Sequence, residues 1–131
     1  MATIFTKIVK GEIPSYKIFE DEKFFAFLDI NPMAKGHTLV IPKKEVEYLF
    51  DIDDNTIADM TVLSKRIAKA IGKAVTCKRV GMMVIGLEVP HAHIHLIPIQ
   101  NEGDMNLSNK RVELSKEEFE QVAKDISSFI K

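Results

Sequence analysis

Three of the four histidines in this chain stand at alternate positions of one short apolar run, Val89-Pro90-His91-Ala92-His93-Ile94-His95-Leu96-Ile97-Pro98. Alternation is the period of a β-strand, so the imidazoles of His91, His93 and His95 share one face. Ala92, Ile94 and Leu96 then point to the other face and can enter a core. A lone strand histidine is ordinarily a structural hydrogen-bonding residue, but three in register on an apolar strand suggest chemistry. Imidazole titrates near neutrality and serves either as a metal ligand or as a base and nucleophile. Neighbours two apart on a strand are ~7 Å apart at Cα and can share an ion, whereas His91 and His95 are ~13 Å apart. A metal site would therefore use two of them, with His37 as the obvious donor from elsewhere; His37, His93 and His95 are the candidate set. The alternative is nucleophilic attack on phosphorus. A neutral imidazole splits one difficult displacement into two easier ones, and flanking histidines can donate to the phosphoryl oxygens.

These side chains need a frame. A short helix is expected over residues 3–10, with Thr3 as its cap and Gly11 and Pro14 ending it. Strands are expected over 16–20 and 24–29, joined by a polar turn too short for anything but an antiparallel pair. Asn31-Pro32 and Gly36 mark a loop, and 37–42 read as a third strand. Residues 44–50 allow one or two helical turns. A long helix over 55–75, capped by Asp53 or Asp54, carries Ile57, Met60, Leu63, Ile67, Ala70 and Ile71 at three- and four-residue steps. Residues 79–85 read as a fourth strand, 86–90 as a turn and the histidine run as a fifth. After an irregular stretch over 101–113, Ser115 and Glu118 form a capping box for a last helix. The expected class is α+β: a five-stranded antiparallel meander with one long helix packed on it, plus short N-terminal and C-terminal helices.

With 131 residues, 46% of them hydrophobic and 28% charged, the chain suits a single domain, 1–131. A net charge of −1 argues against nucleic acid or an anionic membrane as partner. No stretch reads as a signal peptide or a membrane span, and the one cysteine, Cys77, has no intrachain partner, so a cytoplasmic location is expected.

The run His91-Ala92-His93-Ile94-His95-Leu96-Ile97 resembles the signature of the histidine triad (HIT) family. The likeness extends to Ile4-Phe5-Thr6-Lys7-Ile8-Val9-Lys10-Gly11-Glu12-Ile13-Pro14, to Phe27-Leu28-Asp29-Ile30-Asn31-Pro32, and to Gly36-His37-Thr38-Leu39-Val40-Ile41-Pro42-Lys43. It is nearest to the purine-nucleoside phosphoramidase branch. The resemblance implies a purine nucleotide or nucleoside phosphoramidate as ligand and cleavage at its α-phosphorus, with no cofactor. It makes His93 the nucleophile that forms a nucleotidyl-histidine, His95 a phosphate contact, His91 a support for His93, and His37 a fourth histidine beside them. It makes Asp29 the ribose acid, and Ile4, Phe5, Ile8, Ile13, Phe27 and Ile30 the walls of a base pocket. It also implies a homodimer with a continuous ten-stranded sheet. Apolar residues expected on the long helix and fourth strand, Met60, Leu63, Ile67, Met82, Met83 and Val84, are the candidate interface.

The sequence departs from the family pattern in three places. Val80 stands where an Asn is common. In Gly86-Leu87-Glu88-Val89-Pro90, Gly86 can bring its amide to a phosphate, but Glu88 replaces a small hydroxyl residue near the leaving group. Thr3 and Thr6 stand where some relatives carry paired zinc-binding cysteines, so that zinc site is not expected. Two further readings stay open beside the hydrolase: a nucleotide-binding regulatory module with little turnover, and a metal-binding protein using His37, His93 and His95.

Overall fold

A computed structural model of the chain describes residues 2–130. Its five strands form one antiparallel sheet: β1 (Lys17–Glu20), β2 (Phe24–Leu28), β3 (Thr38–Pro42), β4 (Arg79–Met83) and β5 (Ile94–Ile99). Three α-helices, α1 (Ile4–Val9), α2 (Asp54–Ala74) and α3 (Lys116–Phe129), complete it. The expected α+β class, the five antiparallel strands and the three helices are all present. Residues 44–50 form less helix than expected, since only the 3-10 turn Leu49–Asp51 begins within them.

The strand order is β1-β2-β3-β5-β4, so the meander is interrupted once. After β3 the chain crosses through α2 to the far edge, and β5 returns to the place beside β3. Burial explains the exchange. Every residue of β5 is buried or half-buried, whereas Arg79 and Met82 of β4 are exposed, so β5 takes the inner position. Strand β2, Phe-Phe-Ala-Phe-Leu, is buried throughout, as expected of a strand covered on both faces.

The two faces carry different cores. Ala26, Leu28, Val40, Ile94 and Leu96 pack with Met60, Leu63, Ile67 and Ile71 of α2 and with Phe119, Val122 and Ile126 of α3. On the other face, Phe25, Phe27, Leu39 and Ile41 pack beneath Phe5 and Ile8 of α1. The helix ends form where the sequence signals them. Thr3 caps α1, Asp53 caps α2, and Ser115 with Glu118 makes a reciprocal capping box on α3.

Met60, Leu63 and Ile67 are buried against the sheet, so they present no surface patch, contrary to expectation. A stripe at helical spacing is the core face of an amphipathic helix. Met82 and Val84, at 56% and 40% exposed, remain on the surface at the β4 edge. Among the described residues, no helix is long and apolar enough to cross a membrane.

Candidate active site

His95 alone of the triad lies within a ladder, opposite Leu39 of β3 and Met83 of β4. His91 and His93 precede β5, which starts later than the histidine pattern suggests. The reason is that their backbone groups are engaged elsewhere. The Ala92 N–H donates to Val46 O at 2.7 Å, and His91 O accepts from an imidazole. The rings still gather on the α1 face. The Phe5 ring meets His91 and His93 edge-on, with centroids 5.7 and 5.1 Å apart, and the His93 and His95 centroids are 4.9 Å apart.

Hydrogen bonds fix which nitrogen of each ring carries the proton, because a backbone N–H must donate and a carbonyl must accept. His93 Nδ1–H donates to His91 O at 2.8 Å, which leaves the lone pair on Nε2. Met33 N–H donates to His37 Nδ1 at 3.0 Å, so the proton of His37 is on Nε2. That Nε2–H donates to His95 Nδ1 at 3.0 Å, which puts the proton of His95 on its own Nε2. The site therefore offers a free imidazole lone pair on His93 and, on the adjacent ring of His95, an N–H donor. His91 Nε2–H donates to Pro42 O at 2.7 Å, and its Nδ1 accepts from the Thr3 hydroxyl at 2.8 Å.

Burial keeps His37, His91 and His95 uncharged at neutral pH. It lowers His37 to about 3 and His95 to about 4, with neighbouring histidines adding to the effect, and it also lowers His91. His37 Nε2 lies 3.6 Å from Asp29 Oδ2, an ion-pair distance, but a ring that stays neutral has no charge to pair. Asp29 follows the end of β2, and its Oδ1 accepts from Asn31 N–H at 2.8 Å. Burial raises its carboxyl, and the Asn31 bond and Arg111 partly offset that.

Gly36 admits this geometry. It has φ +99°, and a Cβ there would stand 3.0 Å from Val75 Cγ2 and 3.3 Å from Pro98 Cγ. No other residue type turns the chain into His37 at that point without strain.

Among the described residues, one trio could converge on an ion: Asp29, His37 and His95, with ligand atoms within 4.8 Å of one another. His93 is not in it, so the expected set of His37, His93 and His95 is not assembled. The trio also fits an ion poorly. A metal would need the lone pair of His37 Nε2, yet the Met33 N–H occupies Nδ1 and forces the ring proton onto Nε2.

The remaining sequence candidates divide. Phe5 and Phe27 are in edge-on contact at 5.5 Å, and Ile8 packs on the same cluster. Ile4, Ile13 and Ile30 are outside it, and Ile30 is 72% exposed. Gly86 has φ +74° in the loop after β4, and the exposed Glu88 acts electrostatically on Asp29. Sequence reasoning missed Arg111. Its Nη1 lies 3.4 Å from Asn31 O, Val112 N–H donates to Pro32 O at 2.9 Å, and its charge acts on Asp29, His37 and His95. Basic residues in an irregular stretch, here Lys110 and Arg111, carry no signal of that proximity.

The sequence matches the HIT domain over residues 10–102. Adenosine 5'-monophosphoramidase hnt1 of Schizosaccharomyces pombe is 38% identical over the whole of both chains. An uncharacterized HIT-like protein of Borreliella burgdorferi is 37% identical over 95% of each. Among solved structures, a Hit-like protein from Bartonella henselae superposes with a TM-score of 0.84 at 36% identity, covering 96% of this chain and 94% of that one.

Proposed function

The chain belongs to the HIT family, and from that premise we propose that it is a nucleotide-binding hydrolase acting on nucleoside 5'-phosphoramidates or related AMP and GMP derivatives. His93 Nε2 attacks the α-phosphorus, a P–N bond forms, and the bond to the leaving group breaks. The departing amine takes up a proton from solvent, and the water that attacks in the second step returns one. Water then attacks the nucleotidyl-His93, the P–N bond to the ring breaks, and the nucleoside monophosphate leaves with His93 restored. His95 donates its Nε2–H to a phosphoryl oxygen, where negative charge grows in each transition state. Asp29 accepts from the ribose hydroxyls. Phe5, Phe27 and Ile8 face the purine, with Ile4, Ile13 and Ile30 at its rim, and the Gly86 amide lies toward the phosphate.

The observation that carries this reading is the hydrogen bond from His93 Nδ1 to His91 O, because it selects the tautomer of the neutral ring that has its lone pair on Nε2, beside a donor ring. The experiment is a turnover assay across AMP linked to lysine, to an aryl amine and to a second nucleotide, with mass analysis of the acid-labile adduct after rapid quenching. Release of AMP together with an adduct on His93 is expected. A protein that binds AMP but turns over none of the panel would instead be the regulatory module, a reading favoured by the acidic Glu88 beside the leaving group.

The protein works in this reading as a homodimer joined along β4, the open sheet edge on which Met82 and Val84 are exposed. Sedimentation at micromolar concentration should give twice the chain mass; a monomer mass would overturn that assembly.

A further inference from the structure

We propose that Thr3 and Glu45 are positioning residues for the nucleophile, acting through His91; this rests on the reading of His93 given above.

The nucleophile is aimed by a single acceptor, the carbonyl of His91, so whatever holds the His91 peptide aims His93. His91 is fully buried, and both its ring nitrogens are engaged. Nε2–H is held by Pro42 O on β3, which is backbone and insensitive to side-chain change. Nδ1 is held by the Thr3 hydroxyl, 88 residues away in sequence. Thr3 has one hydroxyl proton, and its oxygen already accepts from Thr6 N–H at 3.1 Å as the cap of α1. The proton goes to His91 Nδ1 at 2.8 Å and not to the Thr6 hydroxyl at 3.3 Å.

Glu45 holds Thr3 in turn. Its Oε1 accepts from Thr3 N–H at 2.7 Å and from the Thr6 hydroxyl at 2.5 Å. These bonds, the Thr6 one foremost, keep its carboxyl below the usual range, so it is a carboxylate at neutral pH. The next residue, Val46, accepts from Ala92 N–H through its carbonyl at 2.7 Å. Residues 45 and 46 thus grip residues 91 and 92 twice, once through α1 and once directly. Helix α1 has only six residues, too few to be stable alone, so it relies on this cluster and on Phe5 packing against the two rings. The three side chains form a clasp at the periphery whose output is the direction of one carbonyl in the interior.

A cap that served helix stability alone would alter melting and leave chemistry untouched. The clasp predicts the opposite division. Thr3→Val, which keeps shape and removes the hydroxyl, should lower kcat on an AMP-amine substrate about tenfold, the value of one hydrogen bond of ~1.4 kcal/mol. KM and calorimetric AMP affinity should stay within about twofold. Thr3→Ser should restore kcat, and Glu45→Ala should lower it in the same sense as Thr3→Val. Imidazole nitrogen NMR reads the same device without turnover. His93 should be an Nδ1–H tautomer in the wild type and a mixture in Thr3→Val. Unchanged kcat and an unchanged His93 tautomer in Thr3→Val would overturn the proposal. So would equal losses in Thr3→Ser and Thr3→Val, or a loss of AMP affinity as large as the loss of kcat. If the wild type cleaves nothing in the panel, the hydrolase reading fails, while the tautomer comparison still decides the clasp.

Discussion

The two flanks of His93 are anchored in different ways. On the inner flank, His37 is buried and takes its orientation from a backbone amide, that of Met33, before passing a proton-donor role to His95. On the outer flank, His91 takes half of its orientation from Thr3, and Thr3 from the exposed Glu45. The inner chain starts from a main-chain amide and runs through two buried or half-buried rings, His37 and His95. The outer chain is built from side chains at the surface, which substitution can alter one at a time. In the proposed function, a fixed donor for the phosphoryl group and an adjustable aim for the nucleophile are therefore separable properties of one site.

The largest effect should come from the ring that both flanks serve. His93→Ala should lower turnover at least ~10³-fold while AMP still binds, because the nucleophile acts in the transition state more than in the ground state. Near-normal turnover in that variant, measured beside AMP titration, would remove the reason for comparing the flanks at all.

Acidification tests the inner flank. His37 and His95 have folded values of about 3 and about 4, below the ordinary 6.5. Below pH 6.5 the unfolded chain therefore binds protons there that the folded chain does not, and stability falls as pH falls. The contribution is fully present above pH 6.5 and is lost on the way down to the folded values, at ~1.4 kcal/mol per pH unit for each histidine. Urea unfolding between pH 6.5 and 4.5 should show that slope, before most carboxylates titrate. His37→Asn, which can still accept from Met33 N–H, should flatten it by that residue's share. A flat profile in the wild type would mean that the inner flank is open to protons and not locked by burial.

Asp29 stands where the inner flank meets the proposed ribose. Asp29→Asn should weaken AMP binding roughly 10- to 100-fold, the worth of a charged hydrogen bond lost. A 2′,3′-dideoxy analogue should lose similar affinity for the wild type. If calorimetry gives equal affinities for the ribose and dideoxy forms, Asp29 does not hold the ribose.

Local signals were the ones legible in the sequence. The apolar steps of α2, the capping pair Ser115 and Glu118, and the polar turn between β1 and β2 each act within a few residues, and each appears where expected. The gathering of His37, His91, His93 and His95 with Asp29 follows from three strands, since Asp29 follows β2, His37 leads into β3 and the triad leads into β5. The rest depends on contacts that no window contains. The start of β5 at Ile94 depends on Val46 O drawing Ala92 out of the ladder. The exchange of β4 and β5 depends on which strand is more completely buried. Thr3 reads as a helix cap, which it is, and its bond to His91 is invisible until α1 docks. Arg111 arrives at the Asp29 loop only because the segment before α3 folds back on Pro32.

Glu88 gives the smallest effect and tests the outer flank, since it lies in the exposed loop leading to His91. Its charge acts on Asp29, and in the proposed function the leaving group stands near it. A second phosphate placed there meets a like charge, at a cost on the order of 1 kcal/mol when partly solvated. Glu88→Ser should therefore raise cleavage of dinucleoside polyphosphates relative to AMP-amine substrates, by about five- to tenfold in the ratio of kcat/KM. If the substitution instead lowers cleavage of the amine substrates by much more than that, the carboxylate holds or protonates the departing amine. An unchanged ratio with unchanged rates would place Glu88 in solvent, away from the chemistry. The sign of the change thus assigns the outer flank a task beyond aiming His93: selection among leaving groups by charge, which the neutral rings of the inner flank cannot perform.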